Sequence, residues 1–169
     1  MKTLLETVSS TFTGREAQIL VTGYFPILSH ESEPLRASLL LAVHGISFTS
    51  QLAFHDIVLD KIVSLCLQFW NDSTAFLRQA VLEHGDSRVA FVSAPFTEQN
   101  AVFASAPWLW GVNADLSAQD EVIAGRRAAC NARYPLIDVV DREACYRASA
   151  GHPNGTGAQQ FANAILAAV

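Results

Sequence analysis

Two short apolar runs lie on either side of a long stretch with helical periodicity, and this alternation most constrains the fold. The runs are Gln18–Gly23 and Arg88–Val92, and each predicts a β-strand because it is rich in β-branched residues and bounded by turn residues. Between them, from about Phe54 to Glu83, apolar residues recur at the spacing of one helix face. Strands that alternate with helices predict an α/β layered domain with a mostly parallel sheet.

Other segments extend this pattern. Asn71–Ser73 can cap a second helix, so the long stretch is one helix or two. The turn-prone residues 29–34 predict a loop over an edge of the sheet. The remaining predicted elements are a helix over Leu4–Phe12, an aromatic loop over Phe96–Asn113, a helix over Ala118–Ala132, a third strand over Leu136–Val140 and a final helix over Gly157–Val169.

The composition suits one folded domain over residues 1–169, since half of the residues are hydrophobic and 16% are charged. The net charge is −5 and the basic residues are scattered, so we expect neither nucleic acid nor anionic lipid as a partner. Charged side chains interrupt the richest apolar stretch, Leu52–Trp70, so we expect no integral membrane segment. Residues 1–10 lack the apolar core of a signal peptide.

The cysteines and most histidines do not form a metal-ligand pattern. Cys130 and Cys145 are able to pair in an oxidising compartment, but their spacing alone does not show whether they form a disulfide. Cys66 lies on an apolar helix face and is read as a core residue. His44, His55 and His84 have no second ligand at metal spacing, so we expect no metal and no cofactor.

The segment Gly151–Ala158 carries the most informative chemistry. Pro153 restricts the backbone directly after His152, the next two residues favour a turn, and Thr156 with Gln159 has the spacing of a capping box. A histidine held on a loop beyond the carboxyl ends of parallel strands is well placed to act as a general base. The alternative is that His152 only stabilises the turn.

The block Cys145-Tyr146-Arg147-Ala148-Ser149-Ala150-Gly151-His152-Pro153-Asn154, followed by a terminal amphipathic helix, resembles the last motif of the SGNH, or GDSL, hydrolases. The resemblance continues through Ile19–Pro26 and the aromatic loop as far as Trp110. It implies a flavodoxin-like three-layer sandwich, of which this chain is an incomplete, carboxyl-terminal portion. It also implies a serine esterase or lipase that acts on a small-molecule or lipid ester, and hence a role in lipid metabolism.

The resemblance assigns the general base to His152. Members of the family carry an aspartate three residues before this histidine, where the present chain has Ser149. Some members use a main-chain carbonyl there instead, so we expect Ser149 to orient His152 through its backbone. Asp138 and Asp141 are alternative orienting acids, and the aromatic loop, with Trp108 and Trp110, is expected to help form the substrate cleft or simply to pack.

The serine nucleophile of the family follows its first strand in a Gly-Asp-Ser turn, and this block is not visible before Ile19. Gly85-Asp86-Ser87 has the same letters but precedes a strand, so Ser87 is a weak candidate, as is Ser29. Trp70-Asn71-Asp72 imitates the oxyanion block and is read as a helix cap. We therefore expect the serine upstream of this chain.

Two other hypotheses remain open at this stage. One is a non-catalytic α/β module, or a truncated and inactive homologue of the hydrolases. The other is a complete enzyme that uses an internal serine. The sequence leaves the oligomeric state open, and it leaves the location open too, because relatives are often secreted whereas no export signal is visible here.

Overall fold

The computed structural model describes residues 1–14, 17–43, 45–46, 55–135 and 137–169. Within these ranges the fold is mixed α/β, with a small parallel sheet and several helices. The elements are α1 (Lys2–Thr11), β1 (Ile19–Thr22), α2 (Pro34–Val43), α3 (His55–His84), β2 (Val89–Val92), α4 (Ile123–Arg133), α5 (Val139–Tyr146) and α6 (Gly155–Leu166), with a 3-10 turn at Glu98–Asn100.

The two strands pair in parallel, with Ile19 opposite Val89 and Thr22 opposite Val92. The connection between them contains α2 and α3, as a parallel pair requires a crossover. Both strands and the α/β class are therefore as the sequence predicts. The helix α2 was not expected, because its residues are apolar without a strong helical stripe.

The long helix α3 spans 30 residues and contains neither glycine nor proline. Its buried residues Leu59, Val63, Leu77 and Val81 recur at helical spacing and face the core. Gly85, with φ of +71°, ends it. The predicted cap at Trp70-Asn71-Asp72 is wrong: these residues lie inside one unbroken helix, because the apolar stripe continues on both sides of them. Phe54, at the predicted start, lies outside the described residues.

Two clusters of buried residues form the core. The smaller one joins α1, α3 and the sheet through Leu5, Val81 and Val89. The larger one joins α2, the first half of α3 and the aromatic loop, and α6 packs against it through Phe161. The carboxyl ends of the strands therefore point toward the larger cluster, where the loop that carries His152 also lies.

The predicted third strand over Leu136–Val140 is wrong. Leu136 lies outside the described residues, Ile137 lies in a turn, and Val139 begins α5. Val140 is 80% exposed, so this apolar run covers no sheet face. A helix fits the segment because Asp138 precedes it and Asp141 lies in its first turn, where acidic side chains favour a helix N-terminus.

Three of the remaining helices lie near their predicted positions. The ends of α1 and α6 differ from the prediction by one to three residues, whereas α4 begins at Ile123, five residues later than predicted, and Ala118 instead forms a β-bridge with Val112. The cap of α6 is Asn154, whose side chain accepts a hydrogen bond from the Gly157 backbone N–H at 3.0 Å. The predicted capping box of Thr156 and Gln159 is therefore wrong, because the helix begins two residues earlier and Gln159 instead bonds to Asn163.

None of the helices in the described ranges combines the length and the apolar character that a bilayer crossing needs.

Candidate functional site

The loop that carries His152 is pinned to the aromatic loop by its backbone. The His152 carbonyl accepts the Trp110 N–H at 2.8 Å, and the Trp110 carbonyl accepts the Gly151 N–H at 2.7 Å. Leu109 and Pro153 form an antiparallel bridge between the same segments. The left-handed φ of Gly151, +79°, permits the turn into this pairing. The imidazole itself is exposed, so a fixed backbone presents an accessible side chain.

A second anchor holds the same loop from the side of α4. The hydroxyl of Ser149 donates a hydrogen bond to the buried carboxylate of Asp120, and Arg126 of α4 binds the same carboxylate oxygen at 2.5 Å. The carbonyl of Ser149 accepts the His152 backbone N–H at 3.0 Å. The carbonyl predicted to orient the imidazole thus already holds the histidine by its main chain.

Asp120 stays ionised at this anchor. Burial by itself raises the pKa of a carboxyl, but the hydrogen bonds from Ser149 and Arg126 outweigh burial and lower the pKa of Asp120 below its ordinary value. A buried carboxylate with such partners is a rigid acceptor.

An apolar cavity of about 390 Å³ opens beside His152. The residues that follow β1, part of α2 and Cys66 of α3 form its walls together with the histidine loop. The lining residues are Tyr24, Phe25, Ile27, Leu28, Leu40, Leu41, Cys66, Ala150, Gly151 and His152. A second apolar cavity, of about 280 Å³, shares the walls at Tyr24, Phe25, Ile27 and Cys66 and extends along α3 to Phe69. The two cavities adjoin at these shared walls and are together called the apolar groove; His152 lines the first of them.

Cys66 lines this groove. Burial raises the pKa of its thiol, and a hydrogen bond from the Leu28 backbone opposes this only in part. The thiol is therefore neutral near pH 7, in agreement with its prediction as a core residue.

Neither of the two internal serine candidates, Ser29 and Ser87, lines this groove. Ser29 is 1% exposed, and its hydroxyl donates to the Glu98 carbonyl at 2.7 Å. Ser87 is exposed at the amino end of β2, the opposite end from the groove. Across the described ranges, no serine hydroxyl is hydrogen-bonded to the imidazole of His152.

The other candidate residues from the sequence do not line the groove. Asp138, which precedes α5, and Asp141, in its first turn, are both exposed. Trp108 stacks edge-on against Phe96, with ring centroids 5.2 Å apart, and belongs to the core. The aromatic loop therefore positions the His152 backbone through residues 108–110, while the cavity walls come from elsewhere.

Two acidic side chains flank His30, a residue that the sequence analysis did not single out. Its Nδ1 lies 3.2 Å from Glu98 and its Nε2 lies 3.8 Å from Asp60. No spacing signal links it to Glu98, which follows 68 residues later. These groups do not amount to a metal site, and no cluster of three potential ligands occurs among the described residues.

Of the histidines that the sequence analysis set aside, His84 has a described side chain. The Nε2 atom of His84 lies 2.9 Å from the Ser9 hydroxyl and joins the end of α3 to α1. His44 lies outside the described residues, and for His55 the structure describes the backbone alone.

A disulfide joins Cys130 of α4 to Cys145 of α5, which resolves the pairing that the sequence left open. Tyr146 reinforces it: its hydroxyl donates to Asn131 at 2.5 Å and Arg127 lies over its ring. Because α5 leads directly into Ser149 and α4 carries Arg126, the two helices form a base for the His152 loop.

The chain was compared with protein-family models, curated proteins and solved structures, and no match was found in any of the three comparisons. The class that fold and site define is therefore a mixed α/β protein with an apolar groove lined in part by a histidine.

Proposed function

We propose that this chain is the carboxyl-terminal portion of an SGNH-type carboxylic ester hydrolase in which His152 is the general base. One observation carries the proposal: the exposed imidazole of His152 and the residues directly after β1 border the same apolar cavity. Ligands of open α/β sheets bind beyond the carboxyl ends of the strands. A histidine at that place, on a loop with a fixed backbone, suits proton transfer to and from a bound substrate.

Under this proposal, further parts of the fold lie outside residues 1–169. Strands β1 and β2 would belong to a larger parallel sheet in a three-layer sandwich. The catalytic serine would lie on a turn that follows a strand upstream of residue 1. The residues that donate hydrogen bonds to the oxyanion would lie in the same upstream part of the protein. The serine hydroxyl oxygen attacks the ester carbonyl carbon while His152 accepts the proton. His152 then protonates the departing alkoxide, and a water molecule, activated in the same way, releases the carboxylic acid and restores the serine.

The apolar groove supports an ester with a hydrocarbon chain as the substrate. Its walls are leucine, isoleucine and aromatic side chains together with a neutral thiol. Burial of each methylene contributes about 0.8 kcal/mol, so longer chains are bound more tightly until the groove is filled. Both small-molecule esters and lipid esters can carry such a hydrocarbon chain.

The test begins with the coding sequence upstream of residue 1. We expect a strand followed by Gly-Asp-Ser and, later, a Gly-Xaa-Asn-Asp block. The protein extended by this segment is expected to hydrolyse 4-nitrophenyl esters and to react with a fluorophosphonate at that serine. His152→Ala should lower kcat about 10²- to 10⁴-fold. An upstream sequence without the serine block, or full activity in His152→Ala, would refute the proposal.

The substrate groove has its own test in a series of 4-nitrophenyl esters of increasing acyl length. Cys66→Phe places a larger side chain into both cavities, so it should lower kcat/KM for long esters more than for the acetate. Ser64→Phe is the matched control, because Ser64 is exposed on the same helix. Equal losses for short and long esters would place the acyl chain elsewhere.

The alternative is a non-catalytic α/β module. The observation that favours it is the lack of any serine hydroxyl hydrogen-bonded to the His152 imidazole within the described part of the chain. Under this alternative neither the 169-residue chain nor its extended form hydrolyses esters, and the groove binds an apolar ligand without turnover. Hydrolysis by the 169-residue chain that His152→Ala abolishes would instead require an internal nucleophile.

A further inference from the structure

We propose that Asp120 is a positioning residue for His152 and acts through Ser149. The catalytic part of this inference rests on the proposed function, whereas the anchoring of the loop is a property of the chain itself. Asp120 precedes Ser149 by 29 residues and belongs to no motif that the sequence singles out.

The first link is the environment of the Asp120 carboxylate. The residue is 6% exposed. One oxygen accepts hydrogen bonds from Arg126 and from the Ser149 hydroxyl, and the other accepts the Val122 N–H at 3.1 Å. A buried carboxylate with donors on both oxygens has little freedom to rotate, so the Ser149 hydroxyl is bound to a fixed acceptor.

The second link joins Ser149 to the histidine. Its carbonyl accepts the His152 backbone N–H at 3.0 Å, and Ala148 and Ala150 also form turn hydrogen bonds around it, to Cys145 and Arg147. Ser149 is therefore held at its side chain by Asp120 and holds His152 with its main chain. Loss of the hydrogen bond between Ser149 and Asp120 removes one of the contacts that hold this turn. The turn determines where the His152 side chain is placed.

The position of Ser149 in the chain makes its contact with Asp120 relevant to His152. Ser149 stands three residues before His152, and its carbonyl accepts the His152 N–H. The Asp120 carboxylate reaches this turn from the segment just before α4, with the Ser149 hydroxyl as the link. A carboxylate from a distant segment is thus joined to the turn that carries His152.

The chain offers a control with the same kinds of partner at an exposed carboxylate, Asp115. Asp115 also accepts a hydrogen bond from a serine hydroxyl, that of Ser117, and an ion pair from an arginine of α4, Arg127. Its partners lie outside the His152 loop. A variant at Asp115 therefore removes a carboxylate with the same kinds of partner without touching the proposed anchor.

The experiment measures hydrogen exchange and histidine side-chain NMR on the 169-residue chain. Exchange of the His152 amide should become about tenfold faster or more in Ser149→Val and in Asp120→Asn, while β1 amides keep their protection. Ser149→Thr, which is nearly isosteric with valine but keeps the hydroxyl, should retain slow exchange. Asp115→Asn should also leave the His152 amide unchanged. The His152 imidazole resonances should move only in the variants that lose the anchor.

Two results would overturn the inference: equal exchange at His152 in Ser149→Val and Ser149→Thr, or an Asp120→Asn effect no larger than that of Asp115→Asn. Because the valine and threonine variants differ by one hydroxyl, their comparison decides the matter even where Asp120→Asn fails to fold.

Activity separates this inference from the proposed function. In the active, extended protein, Ser149→Val should lower kcat up to about 100-fold with little change in KM, since a misdirected base slows proton transfer. Faster exchange at His152 in a protein without any hydrolysis refutes the proposed function and supports the anchor. Hydrolysis with an unchanged kcat in Ser149→Val refutes the positioning role and leaves the proposed function standing.

Discussion

Gly157, in the first turn of α6, packs directly under the backbone of Trp108 in the aromatic loop. A Cβ atom at Gly157 would overlap the Trp108 carbonyl oxygen and stand 3.2 Å from the Pro153 side chain. That carbonyl also accepts the Asn154 N–H at 2.8 Å. The contact therefore fixes α6, the aromatic loop and the segment next to His152 at one point.

The glycine requirement predicts that Gly157→Ala is destabilising. The added methyl group forces α6 away from Trp108, and overpacking of this kind costs about 1–3 kcal/mol. Urea unfolding measures the loss. Gly155→Ala is the control, because a Cβ there meets no atom within 4 Å and alanine favours a helix, so its stability should be unchanged or higher. Equal stability of Gly157→Ala and Gly155→Ala would contradict the packing.

The cap of α6 predicts the effect of Asn154→Ala. Asn154 accepts the Gly157 N–H and also donates to the Pro107 carbonyl at 2.8 Å. Loss of a helix N-cap costs about 1 kcal/mol, and the freed Pro107 carbonyl adds to it. Asn154→Ser keeps a side-chain acceptor for the Gly157 N–H and lacks the donor to Pro107, so its unfolding midpoint should lie between those of the wild type and Asn154→Ala. An alanine variant as stable as the wild type would refute the cap.

The disulfide predicts a larger loss of stability. Cys130 and Cys145 are 15 residues apart, and closing a loop of this length stabilises a fold by about 3 kcal/mol in the chain-entropy account. The double variant Cys130→Ser/Cys145→Ser should lose roughly that free energy of unfolding in urea. Cys66→Ser removes the free thiol as a control and should lose less. A reduced wild type that unfolds at the midpoint of the oxidised protein would contradict the prediction.

Local patterns account for the parts of the fold that the sequence predicts correctly. The continuous apolar runs of β1 and β2 and the helical stripe of α3 are each contained within a single segment of the chain. The run at Val139–Val140 misleads because β-branched residues favour strands, whereas the neighbouring acids and the pairing of Cys145 with Cys130 are compatible with a helix. Tertiary context outweighs propensity there.

The candidate site, like the fold, could be predicted from the sequence only in part. His152 is recognisable because its turn residues are adjacent in sequence. The Asp120–Ser149 contact spans 29 residues and His30–Glu98 spans 68, so neither leaves a spacing signal. The groove walls come from four separate segments, which explains why the sequence favoured the aromatic loop as the cleft.

Asp86 predicts a specific response to acid. Hydrogen bonds from the side chain and backbone of Arg88 lower its pKa from 3.8 to about 2, and Arg88 in turn donates to the Phe12 carbonyl at the end of α1. Between these two pKa values the unfolded chain binds more protons than the folded chain. The contribution of Asp86 to stability is therefore complete above pH 3.8 and is lost as the pH falls toward 2.

Asp86→Asn should therefore lower the thermal midpoint near neutral pH and make the midpoint less sensitive to acid. Thermal unfolding followed by circular dichroism between about pH 6 and pH 2 measures both effects. The wild-type and variant midpoints should converge as the pH falls, because protonation removes the same charge that the substitution removes. Asp72→Asn, at an exposed carboxylate of α3, is the matched control. A constant gap between wild type and Asp86→Asn across this range would mean that the Asp86–Arg88 pair does not hold α1 against the sheet through its charge.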